Sequence, residues 1–533
     1  QIFAIGYLEM DWGWARFYLL MGLFEAGMSA LVLCDSLFFS YILLEILTLS
    51  TYLLVGLWFN QSLVVAGARD AFLTKRSGDL LLLMAVLAIY PLTGTWDYDK
   101  LAVWAETAKV DPTLITLACL GLIAGPMAKC AQFPLHLWLD EAMEGPLPAS
   151  VLRNSVVVIT GAWVLVKLQP VLELSPVAMA FIVAIGAISA LGGALLAIGQ
   201  VDVKRVLSYL VSAYMGVIFI AVGTSKTEAA YLLMLVHALS ASLLLMSVGM
   251  IIWNSVSQDL RQMGGLWSRR PISGTSFLVG AFSGIALPPL GGFWAMQKLV
   301  DGLWESHPGL VALLLAVNLC AGFALVRCFS LIWGGKANPM TARSPEVFWP
   351  MMLPTLVTLG FALHLPQVMA ALNLLPVWSQ IHYDHALLLS GATTAGCVLG
   401  GVVYLNPQIA KPLAIPSIAQ GLVDFFTWVP REAPGRKEPV IFTSPNGLTP
   451  TLYRRGVVLV VDWVSHLVAW FDRYFVDGLS NLFGAATIFS GQTLRYITGG
   501  QSQFYLLTIL AGTALIGVWL CWPVLSNLNL VFG

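Results

Sequence analysis

Apolar runs about 20 residues long, separated by short polar connections, fill the chain as far as residue 405. A bilayer core of about 30 Å asks that length of a helix. The runs predict spans at 17–34, 36–58, 78–93, 113–131, 150–168, 177–199, 206–223, 228–252, 275–295, 307–334, 347–366, 384–405 and 504–523. That is about 13 transmembrane helices and an all-α polytopic membrane protein. Residues 406–450 are the long polar, proline-rich exception and read as a linker. In 451–496 the period changes. Trp463, Leu467, Trp470, Phe471, Phe475 and Leu479 recur at three- and four-residue steps, with Asp462, His466, Asp472, Arg473 and Asp477 between them. This pattern predicts a lateral amphipathic helix along a membrane surface or against neighbouring proteins. Residues 497–533 then supply a terminal transmembrane anchor, and 1–405 the main membrane domain. The chain opens at Gln1 without a methionine or a signal-like segment, as if partway through a longer protein.

Composition agrees: 58% of residues are hydrophobic, 10% are charged, and 19 Trp and 15 Tyr suit interfacial belts. The net charge of −1 gives no basic surface for nucleic acid. Connections after alternate spans carry Arg69, Lys75 and Arg76; Lys204 and Arg205; Arg261, Arg269 and Arg270; and Lys336 and Arg343. The opposite set carries Asp97, Asp99 and Glu106, the stretch 224–228, and Asp301 and Glu305. By the positive-inside rule the first set faces the cytoplasm. The seven cysteines lie in or beside apolar spans without a CxxC pair and read as small core residues. No iron–sulfur, haem or flavin ligand set stands out, nor a Rossmann or P-loop glycine pattern, nor a His/Cys cluster at zinc-ligand spacing.

Lys129 is the most informative residue. It lies in an apolar run flanked by Pro126 and Pro134. A charged lysine at that depth costs about 2.5–3.5 kcal/mol on insertion scales, and such residues mark ion or proton paths. The prolines predict a helix broken inside the membrane. Ala286-Leu287-Pro288-Pro289-Leu290-Gly291-Gly292 offers a counterpart to Ala124-Gly125-Pro126. Inverted repeats and two independently kinked helices both fit this pairing.

Glu45 lies mid-span, Glu25 within the first span, and Asp79 opens the third after Arg76. A buried carboxylate and a buried lysine hold each other charged and form a proton switch when one moves. A static structural pair is the competing reading for Glu45 and Lys129. Glu25 and Asp79 could instead face a polar crevice or the interface. Arg153 and Asn154 follow a proline-rich turn, and Arg153 could equally snorkel. His237 is placed to relay protons or to sit as a hydrogen-bonded core residue. Lys204 could serve only membrane topology.

The run Lys129-Cys130-Ala131-Gln132-Phe133-Pro134-Leu135-His136-Leu137-Trp138-Leu139, followed by Ala142-Met143-Glu144-Gly145-Pro146-Leu147-Pro148, resembles the signature of antiporter-like subunits of respiratory and photosynthetic complex I. Asp202-Val203-Lys204-Arg205-Val206-Leu207-Ser208-Tyr209 and Pro288-Pro289-Leu290-Gly291-Gly292-Phe293 agree in order and spacing. The C-terminal region is similar to the NuoL/NdhF type through Asp472-Arg473-Tyr474-Phe475-Val476-Asp477-Gly478-Leu479 and Gly499-Gly500-Gln501-Ser502-Gln503-Phe504-Tyr505. The resemblance implies antiporter-like inverted repeats of five helices with broken helices, a lateral helix and a final anchor. It also implies a proton pathway through Glu45 paired with Lys129, with Asp79 nearby and His237 beyond. Arg76, Arg153, Asn154, Lys204, Glu25 and His136 complete the expected polar set.

Three departures narrow the expectation. Arg153-Asn154 stands where the family has Ile-His. His237-Ala238-Leu239-Ser240-Ala241 lacks the lysine of His-Ala-x-x-Lys. Phe293-Trp294-Ala295-Met296-Gln297 lacks the Lys-Asp of Phe-x-x-Lys-Asp, with Lys298 next. The pattern resembles that of NdhF paralogues in cyanobacterial complexes for carbon dioxide uptake. That likeness implies a distal subunit of a proton-translocating NAD(P)H- or ferredoxin-plastoquinone oxidoreductase in the thylakoid membrane, part of a carbon concentrating mechanism. Its partners would be a neighbouring antiporter-like subunit, a peripheral carbon dioxide hydration subunit and membrane lipids. Quinone, iron–sulfur clusters and zinc would belong to partner subunits, and no cofactor to this chain. The alternatives are an ordinary proton-pumping NdhF subunit, a stand-alone Mrp-like cation/proton antiporter and a purely structural arm.

Overall fold

The computed structural model describes residues 1–136, 138–139, 142–200, 202–335, 337, 345–375, 381–404, 463, 466, 481–489, 506–517 and 519. Helices dominate the described residues, and the extended pairing among them is limited to two isolated bridges, Ser36 with Asp97 and Asp202 with Asp259. Fifteen helices are used below: α1 Ile2–Tyr7, α2 Trp14–Leu33, α3 Leu37–Val55, α4 Ser62–Thr93, α5 Tyr98–Thr107, α6 Pro112–Lys129, α7 Leu147–Leu172, α8 Pro176–Gly199, α9 Val203–Gly223, α10 Thr227–Ser255, α11 Pro271–Gly284, α12 Gly291–Leu303, α13 Pro308–Ile332, α14 Trp349–Ala371 and α15 Tyr383–Tyr404. Among the described residues, ten helices are long and apolar enough to cross a bilayer. The membrane reading holds.

Two departures from the expected spans have physical causes. The span expected at 78–93 is the second half of α4, which begins at Ser62 and runs for 32 residues. Arg69, Asp70, Lys75 and Arg76 interrupt its first half, so hydropathy alone missed it. The span expected at 275–295 is two helices, α11 and α12, separated at 285–290. Pro288 and Pro289 lack the amide protons a continuous helix needs there.

The first break comes after Lys129, not at Pro126, which α6 accommodates internally. Irregular backbone at membrane depth survives only when other groups satisfy it, and here they do. Ser212 Oγ donates to Ala131 O at 2.6 Å, and Phe133 N to Ser189 Oγ at 2.9 Å. Gln132 Nε2 reaches Ser212 O at 3.1 Å, and Trp138 Nε1 reaches Ala128 O at 2.7 Å. In the second break, Ala286 N donates to Asn318 Oδ1 at 3.2 Å and Trp294 Nε1 to Pro289 O at 3.1 Å.

Packing against the first break is unusually close. A Cβ added at Gly78 of α4 would stand 2.5 Å from Ala128 Cβ and 2.6 Å from Ala124 O. One at Gly161 of α7 would meet Pro126 O at 2.7 Å and Lys129 Cβ at 2.8 Å. These two glycines bring α4 and α7 against the end of α6, the end that carries Lys129.

The chain divides into a unit of residues 1–433 and one of 434–533. In the second unit, residues 481–489 and Leu506–Gly517 are helical. The expected linker at 406–450 and most of the lateral helix at 451–496 lie outside the described residues. Lys336 and Arg343 of the topology argument do too.

Candidate functional site

Three helices and the first break converge on one buried ionic group. Lys129, at the end of α6, is 2% exposed, and Asp79, in the middle of α4, is 1% exposed. Lys129 Nζ lies 2.6 Å from Asp79 Oδ2. Nζ also donates to Thr48 Oγ1 on α3 and contacts Leu44 O at 3.4 Å. Thr48 Oγ1 in turn faces Leu44 O at 2.8 Å and Asp79 Oδ2 at 3.5 Å. The second carboxylate oxygen, Asp79 Oδ1, is buried without a partner among the described residues. A carboxylate and an ammonium buried together hold each other charged, and a proton moves when that contact changes.

The expected partner of Lys129 was Glu45, and the structure corrects that. Glu45 is ion-paired with Arg76. The cause is helix rotation. Asp79 follows Gly78 on α4 and is carried against α6 by the close approach there. Glu45 lies toward the flank of α3, its side chain 21% and Arg76's 38% exposed.

Lys75 was read as a topogenic loop charge, which is also corrected. It lies inside α4 and is 2% exposed. Its Nζ donates to Thr51 Oγ1 at 2.9 Å and stands 4.4 Å above the Trp138 ring. It lies within electrostatic reach of Lys129, Asp79 and Arg153. The signal that would have found it is spacing: Lys75 and Asp79, four apart, share one face of a helix.

Arg153 and Lys204 continue the polar line. Arg153, 1% exposed, donates to Ala142 O and contacts Met143 Sδ at 3.3 Å and Ser150 Oγ at 3.5 Å. It does not snorkel: it sits where α7 opens into a π-helical turn over Arg153–Val157. Such turns occur often at functional positions. Lys204, 3% exposed, is buried rather than set in a connection, and its Nζ donates to Met143 O at 2.5 Å. Arg205 and Glu144 stand 3.7 Å apart beyond it.

Asn154 leads to His237. The histidine Nε2 is 2.8 Å from Asn154 O, and its ring stacks on Tyr214 at 5.1 Å. Beside His237 lies a cavity of about 60 Å³, whose wall includes Tyr214, Ser240, Ala241, Gly284, Met296 and Asn318. Ala241 and Met296 are the two positions where lysines were missing from the expected motifs.

Besides Glu45 and Arg76, which pair with each other, two expected members do not join this line among the described residues. Glu25 is on the exposed face of α2, where Gln1 Nε2 donates to it at 2.8 Å. His136 lies within the first break, its Nδ1 buried without a hydrogen-bond partner among the described residues. Elsewhere in the fold, His382, Asp384 and His385 bring three ligand atoms within 4.8 Å of one another.

A family model described as NADH:quinone oxidoreductase/Mrp antiporter, TM, matches residues 34–321, which hold the whole of this site. Across 98% of its length the chain is 41% identical to NAD(P)H-quinone oxidoreductase subunit 5, organellar chromatophore 2, of Paulinella chromatophora, covering 82% of that protein. It is 29% identical to NAD(P)H-quinone oxidoreductase chain 5 of a Picosynechococcus species, over 96% of this chain and 82% of that one. A chloroplastic subunit 5 from Chaetosphaeridium globosum is 29% identical over the full chain, with 84% of that protein covered.

Proposed function

The chain belongs to the antiporter-like, subunit-5 family of NAD(P)H-quinone oxidoreductases, and on that premise we propose that it serves a carbon-dioxide-uptake form of the complex. In this reading it removes the proton that hydration releases. Carbon dioxide and water give bicarbonate and one proton. Carrying that proton away through a path driven by electron transfer to plastoquinone makes the hydration effectively one-way. The complex would lie in a thylakoid membrane, with a neighbouring antiporter-like subunit and a peripheral hydration subunit as partners.

The observation that carries the proposal is where the polar line begins and ends. It starts at the buried Lys129–Asp79 pair and passes Lys75, Arg153 and Lys204. Its branch through Asn154 and His237 gives way to a cavity walled by Ala241 and Met296. A proton crossing that cavity would lack the two amines that relay it in the family pattern. Arg153 adds a fixed charge that opposes a second cation moving the same way. A half-path serving one chemical step fits such an arrangement better than a full-membrane pump. An ordinary proton-pumping subunit is the second reading, supported by the likeness to NAD(P)H-quinone oxidoreductase subunit 5 proteins.

The test is to isolate the assembled complex and follow carbon dioxide hydration by isotope exchange, with and without an electron donor. The proposal expects a co-purifying hydration subunit and a donor-dependent, net one-way reaction. A complex that pumps protons fully and carries no hydration activity overturns it.

A further inference from the structure

We propose that His382, Asp384 and His385, at the start of α15, form a binding site for a divalent cation of the zinc class. This inference is independent of the carbon dioxide reading. The three side chains offer ligand atoms that all lie within 4.8 Å of one another.

The argument turns on His385, which is 7% exposed and held on every side. Its Nδ1 lies 2.7 Å from Asp301 Oδ1 at the end of α12. Its ring stacks on Trp304 at 3.8 Å, while His382 covers it at 4.9 Å. Asp301 is itself fixed, since Gln297 Nε2 donates to the same oxygen at 2.8 Å. A carboxylate on Nδ1 places the proton there and leaves the Nε2 lone pair outward, the support that metal-binding histidines receive.

That lone pair faces Asp384 Oδ2 at 3.6 Å. The separation is too long for a hydrogen bond. It is close to the edge of a tetrahedron whose centre makes bonds of about 2.0–2.2 Å to nitrogen and oxygen, an edge of roughly 3.4 Å. Two acceptors facing each other at that distance repel unless a proton on Nε2 or a metal cation stands between them. His382 is exposed, and one of its ring nitrogens lies within 4.8 Å of the other two ligand atoms. Two imidazoles, a carboxylate and a water make a common zinc set, whereas magnesium and calcium prefer all-oxygen sites. Occupancy would tie the start of α15 to the end of α12.

The test uses the assembled complex, stripped with a chelator and dialysed against micromolar zinc chloride. Bound zinc is counted in the wild type and in a His382→Ala/Asp384→Asn variant. Both positions are exposed, so assembly should survive. We expect one zinc fewer per complex in the variant. A second variant, Asp301→Asn, keeps all three ligands and should bind that zinc about 10–100-fold more weakly. Equal zinc counts and affinities in all three overturn the proposal and leave Asp384 as the partner of a protonated His385.

Discussion

Replacing Asp79 with Asn keeps the side chain's shape and removes the carboxylate charge within 2.6 Å of Lys129. Lys129 and Lys75 are 2% exposed, so neither can turn to water for compensation. Removing one partner of a buried pair costs about 3–5 kcal/mol. At 1.36 kcal/mol per factor of ten, that lowers the population of the charged, proton-competent arrangement by roughly two to four powers of ten. Glu45→Gln is the internal comparison. It removes the charge paired with Arg76 and leaves the Lys129–Asp79 contact in place. The assay is donor-driven proton uptake by purified complex in sealed vesicles, normalised to assembled complex. Asp79→Asn should fall to background while Glu45→Gln keeps most of its rate. The opposite ranking would restore Glu45 as the partner of Lys129 and refute the reasoning from geometry.

Three further outcomes are expected. Gly78→Ala forces a methyl group into Ala128 and the Ala124 carbonyl and should destabilise the subunit by about 1–3 kcal/mol, seen as a lower Tm and a lower yield of complex. Lys75→Met removes the ammonium above Trp138 and beside Thr51 while keeping side-chain length. Proton transfer should drop at least tenfold with assembly unchanged, and an unaltered rate would exclude Lys75 from the path. Lysines at Ala241 and Met296, with Asp at Gln297, place charge in and beside a cavity of about 60 Å³. Carbon dioxide uptake should change measurably in that triple variant, and wild-type uptake would sever the missing lysines from function.

Much of the fold was legible because lipid imposes one rule on length and polarity, so runs near 20 apolar residues mark helices directly. The two breaks were legible for a related reason, since Pro and Gly interrupt the amide ladder wherever they occur in such runs. Lys129 announced itself by depth. Its partner did not, because Glu45 and Asp79 are both acids on neighbouring spans, and only the contact at Gly78 decides which turns inward. Lys75 was hidden by its surroundings. It sits among Arg69, Asp70 and Arg76 at what reads as a loop, and only the observed start of α4 at Ser62 puts it inside a helix. His382, Asp384 and His385 stood four residues from end to end in plain view. What gives them meaning is Asp301, which reaches them from another helix.

The most direct measurement is light-driven carbon dioxide uptake, read by gas-phase mass spectrometry, in cells whose only copy of this subunit carries Lys129→Ala. The account predicts that uptake disappears while the complex still assembles and still passes electrons to plastoquinone. Normal uptake in the assembled variant would contradict it.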